Sequence, residues 1–380
     1  MKKLFLLALT ALTVMTLGLA TACGGDDDEP SSSSTGSSNT GASSSGAASG
    51  GSSQVASNQG AAPTATVDPK EGWPDTFRLG LFGGDDAEEV VLNSQPMKEL
   101  LEEALGIPVE IFTGTSYSAV IEAMRADKVE AMLVGAFSYT LAVQEADAEA
   151  IAVSVSTRAD PPVYDDTILP YYISVVFTKK GNGIESLEDI RGKGFNFVDP
   201  ASTSGHLAPK TTLIKHGFDP DKDFQTVFAG SHPTSVLSVW EDKAPAGATN
   251  EGNLSRLDAE GQVEWCEWSD GKINIPRTQE EIDAHRESCP DGSIVVLVQS
   301  DPIPNTPFAV RTELPESLKE VLREALLGTT ENAEYIGARK QWFVDPSVAL
   351  GLETLDQFYN PLRDIAKLLN LDLKELAEGG

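Results

Sequence analysis

The sequence is poor in cysteine, histidine and positive charge. Its 380 residues include 3 Cys and 4 His, too few for a disulfide framework or a Cys-based zinc cluster. We therefore expect no metal and no other cofactor. Lys and Arg number 28 against 58 Asp and Glu, which gives a net charge of −30. A surface of this sign disfavours nucleic acid and anionic membranes as partners for the bulk of the molecule.

Long apolar runs are also scarce, and the one at the N-terminus, residues 4–20, follows Lys2 and Lys3. This layout predicts a secretory signal peptide over residues 1–22. The small residues before Cys23 resemble a bacterial lipobox, in which that Cys becomes the lipidated first residue of the mature chain. An uncleaved anchor and an ordinary signal with an incidental Cys are the alternatives. Lipidation predicts a protein tethered to the outer face of the cytoplasmic membrane, or in the periplasm.

A segment without core-forming residues follows. Residues 31–54 contain 12 Ser together with Gly, Ala and Thr, a composition that cannot build a packed core. We predict that residues 23–75 are the lipidated Cys and a disordered linker. A Gly/Ser-rich coil of this length spans about 40 Å, enough to hold a domain away from a bilayer.

From residue 77 onward, strand and helix patterns alternate. This alternation predicts an α/β fold with mostly parallel sheets and flanking helices. The remaining length, about 300 residues, suits two lobes better than one core. The predicted strands cover residues 77–82, 109–112, 129–134, 173–178 and 195–198, and the predicted helices include residues 118–126, 186–190, 210–215 and 234–240.

Polar side chains cluster just after these strands, where open α/β sheets bind ligands. Hydroxyl groups and free N–H groups at a helix start together favour an anion. The alternative to ligand binding is a structural role: the Ser and Thr residues would cap a surface helix, the His would be a structural polar residue, and the Tyr residues would pack in the core. The candidate ligand-binding residues are Tyr117, Tyr139, Ser202, Thr203, Ser204 and His232.

In four ordered motifs, the chain resembles the phosphate-, phosphite- and phosphonate-binding proteins of ABC transporters, the PhnD-like family. The resemblance covers about residues 77–345. The motifs are Tyr117 with the run Ile121-Glu122-Ala123-Met124-Arg125-Ala126, then Gly135-Ala136-Phe137-Ser138-Tyr139, then residues 198–205, and finally Asp223-Phe224 with Ala229-Gly230-Ser231-His232.

The resemblance implies a two-lobed, type II periplasmic binding protein that is not an enzyme. Crossings near residues 170–172 and 300–306 would divide it into lobe 1, residues 76–170 plus 304–380, and lobe 2, residues 171–303. In the family, positions matching Ser202, Thr203, Ser204 and His232 hold the phosphorus oxyanion, and those matching Tyr117 and Tyr139 line the opposite wall. A monomer that delivers this ligand to an ABC permease is expected.

Two positions depart from relatives that bind aminophosphonates. Those relatives place carboxylates beside the ligand's ammonium, whereas the register here gives Gly252 and Thr306. A buried ammonium without a counter-charge costs several kcal/mol. Phosphite, phosphate or methylphosphonate is therefore expected to bind better than 2-aminoethylphosphonate, although Glu251 would restore the charge if the register shifted by one. Asn250 and Thr306 are the residues expected near the ligand.

An insertion of about residues 254–293 is longer and more polar than a simple connection. It contains Cys266 and Cys289, which in an oxidising compartment are candidates for a disulfide, with free thiols as the alternative. The insertion is expected to decorate lobe 2 rather than to build the site.

Two other functions compete with transport. An extracytoplasmic hydrolase would use a Ser nucleophile with His232, but the sequence has no Gly-x-Ser-x-Gly elbow, and Ser202, Thr203 and Ser204 look like equivalent donors. A sensor subunit that signals to a membrane kinase fits the same motifs as a transport protein.

Overall fold

The computed structural model describes residues 70–84 and 86–371. The predicted signal peptide, Cys23 and the linker up to residue 69 lie outside this range. Within it, none of the helices combines the length and apolar character that crossing a membrane requires.

Strands and helices alternate along the described chain. The strands are β1 Phe77–Phe82, β2 Val109–Gly114, β3 Ala131–Leu133, β4 Ala148–Ser156, β5 Tyr171–Tyr172, β6 Ser174–Lys179, β7 Gly194–Phe197, β8 Gln225–Phe228, β9 Ala246–Asn250, β10 Ile294–Gln299, β11 Ile303–Pro304, β12 Pro307–Arg311 and β13 Gln341–Val344. The helices are α1 Ala87–Asn93, α2 Gln95–Leu105, α3 Tyr117–Arg125, α4 Ala136–Glu145, α5 Ala208–Lys215, α6 Pro220–Asp223, α7 His232–Trp240, α8 Glu251–Ala259, α9 Gln279–Ser288, α10 Glu316–Leu327, α11 Ala333–Arg339, α12 Ser347–Leu350 and α13 Asn360–Leu368.

Two separate sheets organise these elements. The first has the order β13-β4-β12-β3-β1-β2 and the second the order β10-β6-β9-β7-β8. Strands β1, β2 and β3 run parallel, as do β7, β8 and β9, and each parallel core continues into antiparallel strands. The predicted α/β class with two sheets and flanking helices is confirmed.

A short third sheet lies where the chain passes between the other two. Strand β5 pairs antiparallel with β11, so that Tyr172 faces Ile303 and Tyr171 faces Pro304. These strands fall at the positions where the sequence predicts the two crossings. Everything between them in sequence, β6 to β10, belongs to the second sheet.

Helices cover both faces of each sheet. On the first sheet, α2 buries Met97, Leu101 and Leu105, spaced four apart so that they share one helix face. The helix ends at Gly106, whose φ of 60° is the left-handed conformation that glycine adopts without strain. Helices α3, α4 and α13 cover the opposite face. The carboxyl ends of the parallel strands are left for loops.

The predicted linker ends too late. Lys70 donates from Nζ to the carbonyl oxygen of Leu105 at 2.8 Å, and the Trp73 indole donates to the Ser317 hydroxyl at 2.9 Å. Trp73 also packs against the core under α2. The chain is therefore part of the folded body from residue 70, because an indole that can bury its ring beside a partner does not stay in solvent.

The insertion contributes to the core of the second sheet. Trp265 and Trp268 are buried there beside Ile282, and the structure joins Cys266 to Cys289 in a disulfide bond. The Lys180 ammonium donates to the carbonyl oxygens of Arg286, Glu287 and Cys289 at 2.7–2.8 Å and so satisfies the C-terminal end of α9.

Replacing this ammonium tests how firmly the insertion is held. Lys180→Ala leaves three helix-end carbonyl groups without their donor, and we expect the free energy of unfolding to fall by about 1–2 kcal/mol. Urea unfolding measures the change. Lys193→Ala removes an exposed lysine on the same lobe and is expected to stay within about 0.5 kcal/mol of wild type. Equal effects of the two variants would contradict the assigned role of Lys180.

Candidate ligand-binding cleft

A cleft of about 440 Å³ opens at the carboxyl ends of the parallel strands of both sheets. Its apolar and glycine lining is Leu79, Leu81, Phe82, Val90, Met97, Leu133, Val134, Gly135, Gly252 and Ile273. Its polar lining is Ser94, Tyr117, Ser154, Ser156, Tyr172, Ser204, His232, Asn250, Asn274, Asn305, Thr306, Arg339 and Gln341. Among the described residues, Arg339 is the one charged side chain in this lining.

The hydroxyl run divides between the cleft and the packing behind it. Ser204 lines the cleft, whereas the Ser202 hydroxyl accepts from the N–H of Gly205 at 3.0 Å and caps a π-helical turn over Thr203–Leu207. The Thr203 hydroxyl accepts from the N–H of Phe137 at 2.8 Å. That N–H belongs to the first turn of α4, where N–H groups have no acceptor within their own helix. Thr203 therefore joins the two walls behind the cleft.

Two tyrosines form the wall around Ser204. The Tyr117 ring stacks on Phe82 with centroids 4.1 Å apart, and its hydroxyl lies near Ser202. The Tyr172 hydroxyl lies near Ser204 and Thr203. Burial raises the pKa of both phenols, so both remain neutral groups that are able to donate.

His232 begins α7 and is held by a chain of hydrogen bonds. Its Nδ1 lies 3.0 Å from the Thr249 hydroxyl, which accepts from the side-chain amide of Asn253 at 3.2 Å. Thr249 is completely buried, so its own hydroxyl hydrogen needs an acceptor, and Nδ1 is the one at hand. This assigns the hydrogen of the neutral ring to Nε2, which is then a donor.

Burial first, and the positive charge of Arg256 second, lower the pKa of His232 to about 4. The ring is therefore neutral at physiological pH. A ligand in the cleft meets an N–H donor at this position rather than a full positive charge.

Tyr139 does not belong to the cleft, which corrects its predicted role. It is fully buried on α4, where its hydroxyl donates to the Asp356 carboxylate at 2.7 Å and accepts from the N–H of Ala150 at 3.2 Å. Its ring packs edge-on against Tyr359. Tyr139 does follow strand β3, as predicted, but α4 directs its side chain toward the C-terminal helices.

Asn250 and Thr306 both line the cleft, as does Gly252. Asn250 is also the N-cap of α8, accepting from the N–H of Asn253 at 2.8 Å. Glu251 points away: it is completely buried, accepts from the N–H of Asn274 at 2.8 Å, and bonds Gln299. Burial raises the pKa of this carboxyl. Glu251, which would supply a counter-charge if the register shifted by one, is therefore bound to Asn274 and Gln299 and does not line the cleft.

The insertion does reach the site, contrary to expectation. Ile273 and Asn274 line the cleft, and Asn274 orders Glu251 beneath it. A polar loop far from the strand ends in sequence carries no motif that would reveal this contact. The sequence also gives no signal that Arg339 and Gln341 line the cleft. Tyr172 lies in the predicted crossing, so the sequence did point to its segment.

This arrangement, two α/β sheets that face a common cleft and are joined by a double crossing, defines the type II class of periplasmic binding proteins. The binding protein component of an ABC phosphonate transporter from Pseudomonas aeruginosa shares the fold. It has a TM-score of 0.55 at 22% identity, with 79% of this chain and 96% of that one covered.

Within that class the chain belongs to the periplasmic substrate-binding proteins of phosphonate ABC transporters, whose family profile matches residues 80–349. The phosphate-import protein PhnD of Mycolicibacterium smegmatis is 29% identical over 47% of this chain and 56% of its own length. The phosphonates-binding periplasmic protein of Escherichia coli is 24% identical over 70% of each chain. Members of this family bind solutes and are not enzymes, which removes the hydrolase alternative.

The neutral state of His232 predicts how stability depends on pH. The unfolded chain binds a proton at an ordinary histidine pKa of about 6.5, whereas the folded chain binds it only near pH 4. Between these values the unfolded state holds more protons, so stability falls as the pH falls. His232→Gln removes this contribution. Between pH 7 and pH 4.5 we expect the free energy of unfolding of the variant to fall by roughly 1–2 kcal/mol less than that of wild type.

Urea unfolding at the two pH values measures this difference. His216→Gln, which replaces an exposed histidine on the same lobe, is expected to follow wild type. An identical pH dependence for wild type and His232→Gln would contradict the assignment.

Proposed function

We propose that the chain is the extracytoplasmic solute-binding lipoprotein of an ABC importer, and that it captures phosphite, phosphate or a small phosphonate between its lobes. The observation that carries the proposal is the charge of the cleft. In a protein of net charge −30, the described cleft lining contains Arg339 and neutral donors but no Asp or Glu. A cleft lined without carboxylates suits an anionic ligand.

The oxyanion is held by neutral donors at close range. Ser204, His232 through Nε2, Tyr117 and Tyr172 surround one region of the cleft, and Asn250 adds a side-chain amide. Hydrogen bonds to a charged acceptor are roughly twice as strong as neutral ones, which compensates for the anion's lost hydration. Ser202 and Thr203 act from behind, by ordering the turn that presents Ser204. The protein's acidic surface is screened beyond roughly 8–10 Å and does not cancel these contacts.

An ammonium group on the ligand finds no counter-charge in this cleft. The two positions of interest, Gly252 and Thr306, lack carboxylates, and Glu251 is committed to Asn274 and Gln299. Burying a cation there would cost several kcal/mol. We therefore propose that 2-aminoethylphosphonate is a poor ligand.

Closure of two lobes about the β5–β11 pair is the proposed mechanism. Lobe 1 is residues 76–170 with 304–380, and lobe 2 is residues 171–303. Contacts between the walls support a closed form: Phe137 bonds Thr203, and the Ser138 hydroxyl donates to the Ala201 carbonyl at 2.7 Å. A ligand shifts the equilibrium toward closure by as much as its affinity for the two forms differs.

The predicted signal peptide and lipobox-like Cys23 complete the proposal. A lipid at Cys23 and the Ser-rich linker would tether the monomer beside its ABC permease. A sensor that passes closure to a membrane kinase would need the same cleft, and permease and ATPase genes next to this gene would favour import.

A ligand panel tests the binding function. Calorimetric titration with phosphate, phosphite, methylphosphonate and 2-aminoethylphosphonate is expected to give binding to at least one of the first three and weaker binding of the last. Ser204→Ala removes a donor to a charged ligand, so its affinity is expected to fall by about ten- to a hundredfold. Small-angle scattering is expected to show a smaller radius of gyration with ligand.

Ser288→Ala, an exposed serine on lobe 2, serves as the matched control and is expected to bind like wild type. Tight binding of 2-aminoethylphosphonate alone would overturn the assignment of the ligand, and an unchanged radius of gyration on saturation would overturn closure.

Membrane attachment is tested in cells. Cys23→Ala is expected to move the protein from the membrane fraction to the soluble fraction, because a lipidated residue is replaced by one that cannot be acylated. Immunoblotting of fractions and intact-mass measurement of the wild type check this. A wild-type intact mass that shows no acyl chains at Cys23 would refute lipid anchoring there.

A further inference from the structure

The cleft is much larger than the oxyanion group it is proposed to hold. A phosphate or phosphite ion occupies a few times the roughly 30 Å³ of a water molecule, on the order of 100 Å³. The cleft measures about 440 Å³, which falls in the range of sites for organic molecules. The cleft therefore has room for more than the oxyanion.

Five residues of the lining are apolar neighbours in one core cluster, and we call them the apolar arm: Leu79, Leu81, Val90, Met97 and Leu133. Val90 and Leu133 are half-buried, whereas Leu79, Leu81 and Met97 are buried in the core. All five belong to, or pack against, the core cluster beneath α2. Tyr117, Ser204 and His232, the proposed oxyanion contacts, lie outside this cluster. The cleft thus has a polar part at the Ser204 turn and an apolar part under α1 and α2.

Water is a poor occupant of the apolar arm. An ordered water in a protein needs two to four polar partners, and the five side chains of the arm offer none, so a water there depends on Ser94 and Arg339. Covering this surface with hydrocarbon instead removes apolar area from water, which is favourable in proportion to the area covered.

Arg339 marks the limit of the apolar arm. Its guanidinium donates to the Asn93 carbonyl oxygen at the end of α1, three residues after Val90, and the buried Nε has no hydrogen-bond partner. Ser94 lies beside it in the lining. A cationic group at the end of a ligand in this arm would meet a positive charge.

We propose that the preferred ligand is a phosphonate whose organic substituent is an uncharged hydrocarbon chain that fills the apolar arm. This inference rests on the proposed function and narrows it, since it selects among phosphorus oxyanions by their substituent. The oxyanion binds the donors around Ser204, and the chain runs along Leu81, Val90 and Leu133.

Calorimetric titration with a series of n-alkylphosphonates tests the proposal. From methyl- to butyl- to hexylphosphonate, the affinity is expected to rise by about three- to fourfold for each added methylene that the arm covers. A hexylphosphonate with a terminal amine is expected to bind at least about tenfold more weakly than hexylphosphonate, because its ammonium is buried without a counter-charge.

Variants of Val90 locate the chain. Val90→Phe fills part of the arm, so we expect at least about a tenfold loss of hexylphosphonate affinity with methylphosphonate within about twofold of wild type. Val90→Ala, which retains the fold more safely, is expected to weaken hexylphosphonate alone by about fivefold. Leu92→Phe on the same helix, at a side chain that is 66% exposed and outside the lining, is the matched control.

The outcomes separate this inference from the proposed function. Binding of phosphate or methylphosphonate with an affinity that is flat or falls from methyl to hexyl overturns the apolar-arm proposal and leaves the function standing. A rise with chain length that survives Val90→Phe and Val90→Ala also overturns it, because the chain then lies elsewhere. If no phosphorus oxyanion of any kind binds, the proposed function itself fails.

Discussion

The structure depends on one short backbone pairing, that of Tyr171–Tyr172 with Ile303–Pro304. The chain leaves the first sheet through one of these strands and returns through the other, so the pairing joins the two sheets. Residues that follow the parallel strands of both sheets line a single cleft. Tyr172 shows the coupling directly: it belongs to the paired strand and also lines the cleft with Ser204.

The cleft reverses the electrostatic character of the molecule. Acidic residues outnumber basic ones by about two to one in the sequence, yet in the described cleft lining one Arg is accompanied by hydroxyl, amide and imidazole groups. Carboxylates near the cleft are used for other purposes, as Glu251 illustrates by binding Asn274 beneath the floor. Neutral donors have an advantage over cations here, since burying a hydroxyl costs less than burying an ammonium, and the donor needs no counter-ion when the cleft is empty.

Much of the architecture was predictable, because it rests on local patterns. Strand β1 and the alternation of strands and helices after it follow from hydrophobic spacing. The candidate site was predictable only in part. Ser204, His232 and Tyr117 do line the cleft, but Thr203 faces the N-terminus of α4 and Tyr139 faces Asp356. Adjacent residues of a turn point in different directions, and a motif does not record which of them faces the ligand.

Sequence alone therefore predicted the α/β class and the resemblance to the family, and it pointed to Tyr117, Ser204 and His232, which line the cleft. Those features depend on short-range periodicity or on motifs that survive in order along the chain. The composition of the cleft was decided in three dimensions: Ile273, Asn274 and Arg339 reach it from segments far apart in sequence, while Tyr139 turns away from it. The physical reason is that side-chain direction is set by long-range packing, such as Tyr139 against Tyr359, whose partners the local sequence does not specify.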